Sequence, residues 1–285
     1  MRILITNDDG VDSPGIHELA IQIEAAGYEA IVVAPDHDAS GTGTSVGLLT
    51  VDRPIAVTDA SIAGFAGKAY GVAGPPAMCV LAGYMGAFGP PPDIIVSGIN
   101  AGLNPGRAVT HSGTAGAALA GQNFGMRSIA VSVDYVVPWQ WSTAAELTVA
   151  MLPHLAASAP RVALNLNVPA LPSNEIKGVR WASLAPYGSI RGTMVRRGDE
   201  LIYTQEPTGY EAEDDTDLGA VKAGYASLTS LQAAAEVWSG DAKPGVPFHP
   251  GHGMPAAFAG HEIRASRATF IPSRYDAETY MKDGR

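Results

Sequence analysis

The chain has 285 residues, of which 46% are hydrophobic and 16% charged, with 33 glycines and 21 prolines. That balance excludes a disordered chain, which would carry more charge and fewer aliphatic side chains. Lys and Arg number 18 against 28 Asp and Glu, a formal charge of −10. Only Arg191, Arg196 and Arg197 approach a basic cluster, so the stripe expected of a duplex-binding protein is missing and a nucleic-acid polymer is not the expected partner.

The single cysteine, Cys79, rules out an internal disulfide or a multi-cysteine metal or redox motif. Its surroundings, Ala77 to Leu81, read as buried helix, which makes it a core thiol. The start, MRILITNDDG, reads as a strand ending in aspartates, not as a secretory signal. The most apolar stretch, Ala73 to Phe88, is broken by Gly74, Pro75 and Pro76 and is too short to cross a bilayer. A cytoplasmic protein with no membrane partner is the expectation.

In chain order, Arg2–Ile5 reads as a strand and Pro14–Ala26 as a helix with Ile16, Leu19, Ala20 and Ile23 on one face. Strands follow at Ala30–Ala34 and Ala69–Val72, a helix over Ala77–Met85, and a strand over Asp93–Ser97. Helix Ser112–Phe124, strand Ile129–Val133, helix Ser142–Ala157 and strand Val162–Val168 complete the alternation. Near-continuous Ile/Val runs between helices are what a parallel sheet buried on both faces requires, and the βαβα order predicts a doubly wound α/β core.

The pattern changes after Pro169. Gly192–Glu206 reads as a hairpin around Gly198-Asp199, and Glu211–Asp217 as a solvated acidic loop with Asp217 placed to cap a helix. Tyr225–Leu231 alternates like a strand. The expected organisation is a catalytic core over 1–190, hairpin and closing elements over 191–239 that serve oligomerisation, and an extended C-terminal segment over 240–285.

Three segments concentrate chemistry. Asn7-Asp8-Asp9-Gly10 follows directly on the first strand, and open α/β sheets bind ligands outside the carboxyl ends of their strands. Two adjacent carboxylates repel each other, and a hard divalent cation such as Mg²⁺ or Mn²⁺ resolves that repulsion with oxygen ligands. The alternative is that both acids cap the helix beginning near Pro14, for which Ser13 is better placed. Ser40-Gly41-Thr42-Gly43-Thr44-Ser45 follows the second strand with hydroxyls and backbone N–H groups suited to an anion or a metal. Its glycine spacing misses the dinucleotide fingerprint, and a plain surface loop is the competing reading.

The third segment is Ser97-Gly98-Ile99-Asn100-Ala101-Gly102-Leu103-Asn104, in which Asn100 offers a neutral oxygen at a strand end. Soon after it, Ser112-Gly113-Thr114 opens an Ala-rich helix, a start suited to phosphate if it is not simply an N-cap. Together these place oxygen ligands and anion donors on one rim of one sheet, which points to metal-assisted attack of water on a phosphoester.

These segments resemble the SurE family of metal-dependent nucleoside monophosphate phosphatases. The resemblance rests on MRILITNDDG followed by PGI, VVAPD followed by SGTGTS, PDIIVSGINAGLN, SGTAGAALAG and TDLGAVKAGYASLTSL, over roughly residues 1–235. It implies a Rossmann-like fold whose C-terminal part exchanges between subunits of a homodimer or homotetramer. It further implies one Mg²⁺ or Mn²⁺ per subunit, held by Asp8, Asp9, Ser40 and Asn100. Asp8 and Asp9 are the expected catalytic residues, and we take Asp9 as the carboxylate that handles the proton. Asn104, Ser112, Gly113 and Thr114 fall where the family contacts phosphate. The implied substrate is a nucleoside 5′- or 3′-monophosphate.

Departures from the family pattern are Met78 in place of an acidic residue, His111 where a Tyr is common, and Ser230 in place of a Pro. His111 is a candidate bond to phosphate or leaving group, or an exposed loop histidine. In the tail, His249, His252 and His261 invite a zinc site, but no Cys or acidic partner stands at ligand spacing. No nucleophile with a base and an orienting partner is evident, so hydrolysis without a phosphoenzyme is expected. A phosphatase dedicated to a pathway intermediate and a non-catalytic nucleotide or metal binder are the competing functions.

Overall fold

The computed structural model describes residues 1–188 and 190–234. The histidine-bearing tail and its proposed zinc site lie outside these residues.

The chain builds β1 (Arg2–Thr6), α1 (Pro14–Ala25), β2 (Glu29–Pro35), β3 (Val57–Ala60), β4 (Lys68–Val72), α2 (Pro76–Tyr84), β5 (Ile94–Ala101), α3 (Gly113–Asn123) and β6 (Arg127–Val133). It continues with α4 (Trp141–Ala157), β7 (Ala163–Val168), β8 (Val179–Trp181), the hairpin β9 (Ile190–Arg197) and β10 (Glu200–Pro207), α5 (Asp217–Lys222) and β11 (Ala226–Leu231). A nine-stranded sheet has the order β3-β4-β2-β1-β5-β6-β7-β11-β8, and β9 and β10 pair antiparallel in a sheet of their own.

From β4 to β7 every neighbouring pair is parallel. The chain first builds outward from β1 to β2 and β4, then returns to the other side of β1 to lay down β5, β6 and β7. The order therefore reverses between β1 and β5, and the crevice opened there is where such sheets take ligands.

Alternation along β1 explains why its residues are apolar throughout. Ile3 and Ile5 enter the cluster packed by α1 and α4, whereas Leu4 enters the cluster packed by α2 on the opposite face. Each such aliphatic side chain, withdrawn fully from water, contributes about 1.5–3 kcal/mol. The result is the Rossmann-like, doubly wound, mainly parallel α/β sheet with a separate hairpin that the sequence predicts.

Several local expectations are corrected. The strands β3 and β8 escaped the sequence reading, because β3 is largely exposed and β8 has three residues, too few for a period. Asp217 is fully buried instead of solvated, and the N-cap of α5 is Thr216, whose Oγ1 accepts from Gly219 N–H at 3.1 Å. Ser13 stands at the N-cap of α1 without a capping bond, since its hydroxyl accepts from Asn7 Nδ2 at 2.7 Å. Met78 is buried in the cluster on the α2 face, so its replacement of an acidic residue bears on packing. Ser230 is exposed.

Candidate active site

The loops after β1 and β5 meet at the reversal point, and the loop after β2 folds over them. Ala39 N–H donates to the Asp8 carbonyl at 2.7 Å, which fastens the Ser40 segment beside the aspartates. The start of α3 closes the crevice from the other face. There a β-carbon on Gly113 would stand 2.7 Å from the Asp8 Cβ, so only glycine lets the helix start this close to the strand end. A β-carbon on Gly116 would meet the Gly43 carbonyl oxygen at 2.0 Å, so the same helix also rests directly on the Ser40–Ser45 loop.

Asp8 is 3% exposed. Burial pushes its carboxyl above the ordinary carboxylate range, opposed by the Thr114 hydroxyl and by backbone N–H groups at Gly113 and Thr114. Thr114 Oγ1 donates to Asp8 Oδ1 at 2.5 Å. Asp9 is half-buried and is pushed up to about 6, first by burial and then by the Asp8 charge beside it, against one bond from Ala101 N–H. Asp38 adds further repulsion to Asp9. Among the described residues no Lys, Arg or His forms an ion pair with Asp8 or Asp9. The pair is thus a local excess of negative charge without a protein counter-ion.

Asn100 and Ser40, the two neutral residues expected beside this pair, have local partners of their own. Asn100 commits its amide nitrogen to the Gly102 carbonyl at 2.7 Å, which leaves its side-chain oxygen as the free atom. Ser40 is exposed and donates its backbone N–H to Asp38 Oδ1 at 2.9 Å. Among the described residues no group of three or more His, Cys, Asp and Glu side chains gathers as metal ligands. Two adjacent carboxylates with oxygen donors and no Cys or His are the chemistry that suits a hard divalent cation and not zinc.

Two groups read as phosphate donors already have partners. The Ser112 hydroxyl caps α3 by accepting from Ala115 N–H at 3.0 Å, and the Thr114 hydroxyl is held by Asp8. Asn104 is buried in a network of its own. Its N–H donates to Asn167 Oδ1 at 2.8 Å, its Nδ2 to Ser132 Oγ at 2.9 Å, and its carbonyl accepts from Asn165 Nδ2 at 2.9 Å. His111 is exposed on the rim and touches the Ser40 loop through its carbonyl, which accepts from Gly43 N–H at 3.2 Å.

Sequence reasoning missed the supports behind these residues. Asn165 and Asn167 are fully buried, and the signal was present as two asparagines in the otherwise aliphatic strand ALNLNV. Asp217 takes Gly106 N–H at 2.7 Å, Ala185 N–H at 3.0 Å and Leu218 N–H at 2.8 Å, and so holds the segment that leads into Ser112. Burial raises its carboxyl above the ordinary range, with those three N–H groups working the other way.

The family model for Survival protein SurE matches residues 3–188. The 5′/3′-nucleotidase SurE of Yersinia pseudotuberculosis is 38% identical over 238 residues, covering 81% of this chain and 90% of that protein. The 5′-nucleotidase SurE of Stenotrophomonas maltophilia is 40% identical over 242 residues, covering 81% and 90%. Among solved structures, the SurE protein from Aquifex aeolicus superposes with a TM-score of 0.69 at 32% identity, covering 83% of this chain and 95% of that one. With the family model spanning most of the chain and relatives of this similarity over nearly their full length, the chain belongs to the SurE family.

Proposed function

We propose that the protein is a divalent-metal-dependent phosphomonoesterase that hydrolyses nucleoside 5′- or 3′-monophosphates. The observation that supports this most directly is the uncompensated Asp8–Asp9 pair at the sheet's reversal point, where Ser40 and Asn100 would complete the oxygen ligands of the cation. Names borne by relatives, 5′-nucleotidase and 5′/3′-nucleotidase SurE, support the substrate class. One Mg²⁺ or Mn²⁺ per subunit, when bound there, supplies Lewis-acid stabilisation of charge on the phosphoryl oxygens and activates water.

The chain's own residues do the rest. Thr114 fixes the Asp8 carboxylate, and Ala101 N–H fixes Asp9. Asp9, the less buried of the two, is the residue that accepts the proton of the attacking water. Gly113 brings the positive end of α3 against the crevice, where it favours an anionic substrate. His111, exposed on the rim, is placed to meet phosphate or leaving group. With no activated side-chain nucleophile in the set, transfer goes directly to water.

The exposed Ile190, Met194, Ile202 and Tyr203 of the hairpin support its use in assembling a homodimer or homotetramer. No helix of the described residues is long and apolar enough to cross a membrane.

The deciding experiment strips the metal, restores Mn²⁺ or Mg²⁺, and measures phosphate release from 5′- and 3′-nucleoside monophosphates, sugar phosphates and p-nitrophenyl phosphate. Metal-restored release from nucleotides that Asp8→Asn abolishes is the expected result. Turnover of p-nitrophenyl phosphate with nucleotides ignored would assign the site to another phosphomonoester. No turnover with any metal would overturn the enzyme reading.

A further inference from the structure

Beside the crevice, the chain leaving β6 presents an aromatic cluster that the phosphate chemistry does not use. Tyr135 is 71% exposed, an unusual setting for a large aromatic ring. It is held in place nonetheless. Its N–H donates to Asp134 Oδ1 at 2.9 Å, Val136 N–H returns to the Asp134 carbonyl at 2.8 Å, and Asp134 N–H is anchored on the Val168 carbonyl at 2.9 Å.

The ring is also braced from one side. Trp139 meets Tyr135 edge to face, with centroids 4.9 Å apart and planes at 87°, and Trp139 stacks on Trp141 at 4.9 Å and 18°. Trp139 and Trp141 in turn pack against the main core. This arrangement leaves the Tyr135 ring rigid and open to solvent.

The location gives the cluster a purpose. β6 lies next to β5 in the sheet, so Tyr135 emerges on the same rim as Asn100 and Ala101. Gly102, whose N–H bonds to the Asn100 carbonyl at 3.1 Å, is the point of contact. A β-carbon there would lie 3.9 Å from the Tyr135 ring. Between this ring and the carboxylate pair stands the short Asn100–Gly102 segment, whose Ala101 N–H reaches Asp9.

We infer that Tyr135, braced by Trp139, is the platform on which the nucleobase of the substrate stacks, and that it makes the site prefer nucleotides over base-free phosphomonoesters. The inference rests on the phosphomonoesterase reading above and adds the residue that sets substrate class. Stacking on an aromatic face needs no particular hydrogen-bonding edge, so the preference holds for all bases and is strongest for purines, which offer the larger ring.

The test compares AMP with ribose 5-phosphate, which keeps the sugar and phosphate but lacks the base, on the Mn²⁺-loaded full chain. For Tyr135→Ala, the ratio of kcat/KM for AMP to that for ribose 5-phosphate falls about tenfold, mainly through KM for AMP, whereas Tyr135→Phe retains the wild-type ratio. Equal loss on both substrates, or no change in the ratio, overturns the platform. Sedimentation of each variant identifies an equal loss that arises from a broken subunit contact. If the wild type hydrolyses neither compound, the phosphatase reading fails, and calorimetric titration decides the platform separately. AMP binding more tightly than ribose 5-phosphate in the wild type but not in Tyr135→Ala would sustain it, and equal affinities in the wild type would end it.

Discussion

Thr114 and Asp8 stand 106 positions apart in sequence and share a buried hydrogen bond, the threonine hydroxyl donating to Oδ1 at 2.5 Å. The contact joins the first turn of α3 to the end of β1 and sets which way the buried carboxylate faces. It also commits the Thr114 hydroxyl to Asp8. Thr114→Ala is expected to lower Mn²⁺ affinity and kcat by about tenfold or more, in keeping with the loss of outer-shell partners to metal ligands, and Thr114→Ser to restore both. Calorimetric metal titration with steady-state kinetics checks this, and equal behaviour of the two variants would refute it.

Asp9→Asn separates stability from activity. The substitution removes a carboxylate that burial and Asp8 hold at a raised pKa of about 6, so the metal-free protein is expected to unfold at the same temperature or higher. Phosphate release with Mn²⁺ is expected to fall at least about a hundredfold, the scale on which positioned acid–base groups act. Thermal unfolding alongside activity tests the pair of outcomes.

Stability of the metal-free protein should depend on pH through the same two acids. Both folded-state pKa values lie above the ordinary 3.8, that of Asp9 at about 6. The contribution of Asp9 is therefore fully present below about pH 4 and is lost as pH rises through about 6, and that of Asp8 is lost in the same direction, because the unfolded chain gives up these protons first. Unfolding temperature between about pH 5 and pH 7.5 is expected to fall without metal, and saturating Mg²⁺ or Mn²⁺ to offset the fall at the higher pH. An identical pH profile with and without metal would contradict it.

Gly116→Ala places a β-carbon where the Gly43 carbonyl oxygen stands. Either α3 or the Ser40 loop must move, at a cost of about 1–3 kcal/mol typical of overpacking. Weaker Mn²⁺ binding should accompany the lower unfolding temperature, because the same helix carries Thr114. A loss of stability with unchanged metal affinity would show that the loop and the site are not coupled.

Asp217→Asn replaces one acceptor oxygen with a donor and leaves either Gly106 N–H or both Ala185 and Leu218 N–H facing it. An unsatisfied buried group of this kind costs about 1–3 kcal/mol. Because Gly106 begins the segment leading to Ser112, KM for AMP should rise while Mn²⁺ affinity holds. Differential scanning calorimetry and kinetics together test it.

The site's ingredients were legible because local rules specify them. Ile and Val runs between helical periods can only be buried parallel strands, so Asp8, Asp9 and Asn100 had to sit at strand ends on one rim. The supports were not legible, because a side chain's partner is chosen by which strands become neighbours. Spacing did not show that β7 places Asn165 and Asn167 against Asn104, and Asp217 looked like a solvated cap until α5 buried it against Gly106. By itself the sequence determined the doubly wound core, the paired carboxylates and the glycines that let backbone approach backbone. Only the tertiary structure decided that Thr114 serves Asp8, that both acids lack an ion-pair partner among the described residues, and that Tyr135 stands open beside Gly102. Those relationships depend on distances between segments that sequence spacing does not encode, fixed when β1, β5 and β6 pack side by side.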